Sequence, residues 1–153
     1  MRGFFLLLTL LFLQTAWAQT PQAQVMEAWV RATVAGQQST GAFLTLQSAV
    51  PLKLVEVRSP LAAAAEIHEM RVDDDGVMRM RAVSWLNVPA GKATQLKPGG
   101  YHIMLLELKA QAKAGERTTL TLVLEDAARQ RQEIEVIAEI RALNAPPRHM
   151  PQQ

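Results

Sequence analysis

The sequence predicts an all-β fold, a β-sandwich or small barrel of eight or nine short strands. Three observations carry this. Short β-favouring stretches recur at near-regular spacing, Gly, Pro and Asp clusters punctuate them, and the clearest stretches alternate apolar and polar residues with period 2. Residues 26–33, 42–48 and 52–58 are the first three predicted strands, set off by Gly36, Gly41 and Pro51. Residues 61–65 hold good helix formers, but the stretch is short and follows Pro60, so a single turn or loop is expected there. Residues 66–72 and 77–83 form the next pair, joined across Asp73-Asp74-Asp75-Gly76.

A turn is expected at 87–91, a short edge strand at 94–96, and a strong turn at Lys97-Pro98-Gly99-Gly100. Residues 102–108 are apolar on both faces near their middle, which marks a central, buried strand. The last two strands, 118–124 and 133–140, alternate cleanly. In the first of them Leu120, Leu122 and Leu124 share one face, and Thr119, Thr121 and Val123 the other. The polar segment between the two strands suits a hairpin.

Residues 1–18 read as a secretory signal peptide. Arg2 is the charged n-region, residues 4–13 are apolar apart from Thr9, and Ala16-Trp17-Ala18 has small residues where cleavage requires them. A membrane anchor is the alternative, but the run falls far short of the roughly 20 residues a bilayer span needs. With no Cys near the cleavage site, no lipid attachment is expected there, and no stable membrane anchor after cleavage. Removing 18 of the 153 residues leaves 135, one domain by size, assigned to residues 19–143. Residues 144–153 are Pro-rich and polar and are expected to be a disordered tail. The protein is therefore expected in the periplasm.

The formal charge of +2 falls to +1 without Arg2, and no Lys/Arg run exists, so nucleic acid is not an expected partner. The chain has no Cys, which excludes a thiol nucleophile, a thiol redox pair, an iron–sulfur cluster and any thiolate metal site. Gly-x-Ser-x-Gly, His-Glu-x-x-His and phosphate-loop motifs are also absent, so no enzymatic activity is expected.

Chemistry is concentrated in three patches, His68-Glu69-Met70, Met78-Arg79-Met80 and His102-Ile103-Met104. Strand side chains alternate faces, so a His and a Met two residues apart project from one side and can serve one ion. The hairpin decides whether the middle patch joins them. A three-residue loop with Gly76 in the left-handed region places Met70 opposite Met80 and Val72 opposite Met78, all on the face of His68. A two-residue loop would put Glu69 opposite Met80 and split the set. Thioethers and imidazoles suit Cu(I); zinc favours Cys, His and carboxylate, and calcium favours oxygen. A single Met on a strand face is ordinarily core filler, but two His-x-Met units around a Met-x-Met favour metal. The Asp73-Asp74-Asp75 run lacks EF-hand spacing and reads as a solvated turn. His149-Met150 in the tail is either a second, loose copper site or a solvated end without a role.

These residues resemble the periplasmic copper chaperones of the PCuAC family. That motif is a His, a Met eleven or twelve residues on, 21 intervening residues and His-x-Met. Here His68, Met80, residues 81–101 and His102-Ile103-Met104 match it. Flanking phrases agree: Ala28-Trp29-Val30-Arg31-Ala32, Thr40-Gly41-Ala42-Phe43-Leu44-Thr45-Leu46, Val77-Met78-Arg79-Met80-Arg81 and Lys97-Pro98-Gly99-Gly100-Tyr101-His102-Ile103-Met104. The resemblance implies a cupredoxin-like Greek-key β-sandwich and Cu(I) held by His68, Met80, His102 and Met104. It also implies delivery to a copper-accepting protein, such as the copper subunit of cytochrome oxidase or another copper chaperone. Glu69 stands where some relatives carry Met, and Met70 and Met78 are either auxiliary ligands or packing. Two further functions compete: periplasmic copper storage or resistance, and a metal-free secreted β-sandwich that binds other proteins. A blue-copper electron carrier would need the missing Cys.

Overall fold

In the computed structural model, residues 22–142 are described, so the expected signal peptide and the tail with His149 and Met150 lie outside them. The strands are β1 (Ala23–Arg31), β2 (Ser39–Ser48), β3 (Leu52–Arg58), β4 (Ala62–Val72), β5 (Met78–Val83), β6 (Leu86–Val88), β7 (Thr94–Leu96), β8 (Tyr101–Leu108), β9 (Arg117–Glu125) and β10 (Arg131–Arg141). Among the described residues there is no helix.

The strands form one continuous hydrogen-bonded path in the order β5-β4-β8-β2-β1-β10-β9-β3-β6, with β7 beside β8 along the same edge of β2. Strands distant in sequence are neighbours: β2 with β8, β4 with β8, and β3 with β9. Only β1 and β10 run parallel, zipping the two ends of the domain together through Val30 and Ile140. The path curls until β3 lies back against β4. Its two walls enclose a single core that includes Leu44, Leu46, Leu54, Ile103, Leu105, Leu120, Leu122 and Leu124. The result is an all-β sandwich, as the strand spacing predicted, with the Greek-key order that the resemblance implied.

Two local expectations are corrected. Residues 62–65 are not a turn or loop but the start of β4, because Ala62, Ala64 and Ala65 pair with Leu108, Leu106 and Leu105. Sheet pairing overrides the helix preference of a short alanine run. Residues 87 and 88 belong to β6, which pairs with β3 through Leu52–Val88 and Leu54–Leu86, and Ala90 bridges Ser48, so the turn begins only at Gly91.

The hairpin between β4 and β5 has the three-residue loop. Asp73 N–H donates to the Val77 carbonyl at 2.9 Å, and Gly76 N–H donates to the Asp73 carbonyl at 3.0 Å. Gly76 has φ +77°, a conformation that strains any residue with a Cβ. The Asp73 carboxylate accepts from the Val77 and Asp75 N–H groups and from Arg79. Arg79, then the Val77 N–H, hold Asp73 below its usual titration range. Across the same hairpin Arg81, then the Tyr101 hydroxyl, lower Glu69, and Glu69 in turn raises Tyr101.

A carboxylate depressed in the folded state adds stability that is full above the ordinary range and lost as the pH falls through its folded value. Acidification below about pH 4, the ordinary carboxylate range, should therefore loosen this hairpin first. Amide exchange at Arg71, Val77 and Arg79, corrected for intrinsic rates, reads it. Protection in the hairpin that falls no earlier than in β9 would contradict the expectation.

Candidate metal centre

The three predicted patches come together on the outer face of β5, β4 and β8. Register sets this. His68 lies directly opposite His102, Glu66 opposite Met104, and Met70 opposite Met80. Ile67 and Ile103, one residue along, pair on the reverse face and enter the core. Period 2 thus separates ligand chemistry from packing within single strands.

The two imidazoles sit side by side, ring centroids 5.8 Å apart. His102 is only 5 % exposed. Its Nδ1 lies 3.0 Å from the Gly100 carbonyl, which can only accept, so Nδ1 carries the proton and Nε2 presents a lone pair. Nε2 is 3.2 Å from the sulfur of Met80, which reaches across from β5. His68 has the opposite arrangement. Its Nε2 lies 2.8 Å from the Glu66 carboxylate, and its Nδ1 is buried without a hydrogen-bond partner. A buried imidazole nitrogen with an unused lone pair is costly unless something else takes it up.

Each histidine therefore has one nitrogen fixed by a second group and one left free, the usual support for metal-ligating imidazole. Met104 is on the same face, two residues from His102 along β8. Among the described residues no three His, Cys, Asp or Glu side chains gather as a metal group, and the further donor that meets the imidazoles is the Met80 thioether. Two imidazoles with thioether sulfur are a donor set for a soft, low-charge ion. Met80 is 50 % exposed, which leaves the centre open on one side.

The wall behind the centre is aromatic. Phe43 on β2 lies 6.4 Å from the His102 ring and 4.4 Å from the Trp29 ring on β1. Arg31 covers Phe43 and Arg141 covers Trp29. Gly41 makes room for this, since a Cβ there would come within 2.8 Å of Phe43 Cζ.

Residues 23–136 match the family described as "Putative lipoprotein LpqE-like". The chain belongs to the LpqE-like family. A relative in Leifsonia xyli subsp. xyli, named "Putative lipoprotein Lxx21020", is 34 % identical over 117 residues, 75 % of this chain and 69 % of that one. Among solved structures, apo-DR1885 of Deinococcus radiodurans is 31 % identical with a TM-score of 0.59, over 92 % of this chain and 93 % of that one. The same protein as CuI-DR1885 is 32 % identical with a TM-score of 0.57, over 84 % and 85 %. The apo PCuAC domain from PmoF1 is 25 % identical with a TM-score of 0.63, over 79 % and 94 %. The solved neighbours of this LpqE-like chain thus include a PCuAC domain and a protein determined both in its apo form and with Cu(I).

In the LpqE-like chain, sequence reasoning placed His68 with Met80 on one strand face and His102 with Met104 on another, and the pairing of β4 with β8 makes these one face. It did not find Glu66, Gly100 or the Phe43–Trp29 wall as parts of the centre. Glu66 was detectable as the residue two before His68 on the same face. The Gly100 carbonyl and the aromatic wall had no signal beyond the phrases that contain them.

Proposed function

We propose that this LpqE-like protein is a copper carrier of the cell envelope that binds Cu(I) as cargo through His68 Nδ1, His102 Nε2 and the sulfurs of Met80 and Met104. The carrying observation is that His102 Nε2 and Met80 Sδ, from strands not adjacent to each other, meet at 3.2 Å, and that the His68 ring, with its Nδ1 buried and unpartnered, lies 5.8 Å from the His102 ring. The copper-bound DR1885 neighbour and the donor chemistry support the same reading. All four ligands are neutral, so the ion keeps its +1 charge and no thiolate holds it. Met80, half exposed on an edge strand, can give way to an incoming ligand. This openness favours delivery over storage. The acceptor in this reading is a protein with thiolate ligands, such as the copper subunit of an oxidase or a second copper chaperone.

The lipoprotein names of the family and its relative fit an exported, envelope-associated protein. The reading of residues 1–18 as a signal peptide supports a periplasmic location for the domain. An anaerobic Cu(I) titration against a chromophoric chelator is the direct test. The expected result is one tightly bound Cu(I) per chain. A domain that never competes with the chelator would leave the metal-free binding module as the function.

A further inference from the structure

Three methionines continue outward from the proposed centre, and only one belongs to it. Met80 stands opposite Met70, and Met78 stands opposite Val72 in the next row toward the hairpin tip. All share the face of His68. The Met70 N–H donates to the carbonyl of Gly100, the residue just before β8, so Met70 turns its backbone groups away from β5. Its pairing with Met80 is then of the close, non-hydrogen-bonded kind, with Cβ atoms roughly 4.5–5.5 Å apart. Met78 is diagonal to Met70 and about 7 Å along β5 from Met80, within reach for long side chains.

Packing does not account for this set. Met78 is 58 % and Met80 50 % exposed, on a strand that forms the edge of the sheet. A buried strand face uses Met as filler; an exposed edge strand gains nothing from it and is usually defended by charge. β5 has that charge on its other face, where Arg79 and Arg81 pair with Asp73 and Glu69. The thioethers are kept on the face that leads to His68 and His102.

We propose that Met70 and Met78, sharing Met80, form a second and weaker Cu(I) subsite on the hairpin face, through which the ion enters and leaves the histidine centre. The proposal rests on the Cu(I) reading above. Three thioethers without imidazole match a soft monovalent cation and bind it less tightly than the mixed set. Met80 belongs to both subsites, so an ion can pass between them without being released to water. Flexible, neutral side chains suit such stepwise exchange.

The test uses the purified protein with ¹³C-labelled methionine methyl groups, titrated anaerobically with Ag(I) and then with Cu(I). The first equivalent should shift the Met80 and Met104 signals, and the second those of Met70 and Met78. In the Met70→Leu/Met78→Leu double variant the first equivalent should bind with unchanged affinity and the second should be lost. Transfer of Cu(I) to a competing chelator should slow by about tenfold, the effect of ~1.4 kcal/mol on a barrier. Leu keeps the volume and apolarity of Met, so the hairpin should persist. Met70 and Met78 signals that stay fixed while those of Met80 and Met104 move would overturn the subsite and leave the main centre standing. A second equivalent that survives the double substitution without moving the Met150 methyl signal would overturn it as well. If none of the four signals moves, the Cu(I) reading itself fails and the subsite with it.

Discussion

Replacing His68 and His102 together by Ala is expected to lower Cu(I) affinity by about three orders of magnitude, about 4 kcal/mol at ~1.4 kcal/mol per decade. The two imidazoles supply the buried lone pairs of the centre, and Met80 and Met104 would then face the ion without nitrogen donors. Fold stability should change much less. The His68 ring is bounded by Glu66 and His102, and both histidines lie on the face opposite to Ile67 and Ile103, which enter the core. Chelator competition gives the affinity, and a thermal melt of the metal-free variant separates lost ligation from lost structure. A double variant that still competes within tenfold of the parent would remove the histidines from the site. Glu66→Gln should act in the same direction but less, by about tenfold or a little more, as changes to a ligand's supporting partner do.

Ile103→Ala should have the reverse profile. Ile103 lies between His102 and Met104 in sequence but faces inward, fully buried, with Ile67 and Ala42 as its strand neighbours. Truncating it leaves a cavity in a core that cannot fully collapse, at a cost of about 2–5 kcal/mol. For a domain of this size that lowers the melting temperature by roughly 10 °C or more. Well below the melt, Cu(I) affinity should stay within a few-fold of the parent, because the register that pairs His68 with His102 is backbone-determined. A melt within about 2 °C of the parent, on the same scale, would show that this strand does not face the core as described.

Much of the site was legible because a strand has a fixed period. His102 and Met104 two apart, and His68 and Met70 two apart, must share a face wherever the sheet lies. The hairpin register followed from Gly76, the residue that permits a three-residue loop with positive φ, and the pairs Met70–Met80 and Val72–Met78 are those the loop requires. Strand positions were also largely readable, with residues 52–58 and 94–96 matching β3 and β7 end to end. The misread stretch at 61–65 shows where this stops. Alanines have no strong strand signal of their own, and only the approach of β8 makes residues 62–65 extended.

By itself, then, the sequence determined which residues carry soft-ligand chemistry, which face of each strand they occupy, and how the β4–β5 hairpin is registered. All three are local properties, governed by donor type, period and turn geometry. The tertiary structure decided which strands lie side by side, and so that His68 meets His102 and that Met80 reaches across β4 to Nε2. It also set the direction of Trp29. Between Met26 and Trp29 the β1 register shifts, with Glu27 at φ +54°, and Trp29 comes to lie opposite Phe43. Without the bulge the alternation would turn Trp29 to the other face. Which imidazole nitrogen is free was likewise decided by the partners folding supplied, the Gly100 carbonyl for His102 and Glu66 for His68. Pairings between distant strands depend on burying one shared core from both walls, and no local pattern in the chain encodes that sum.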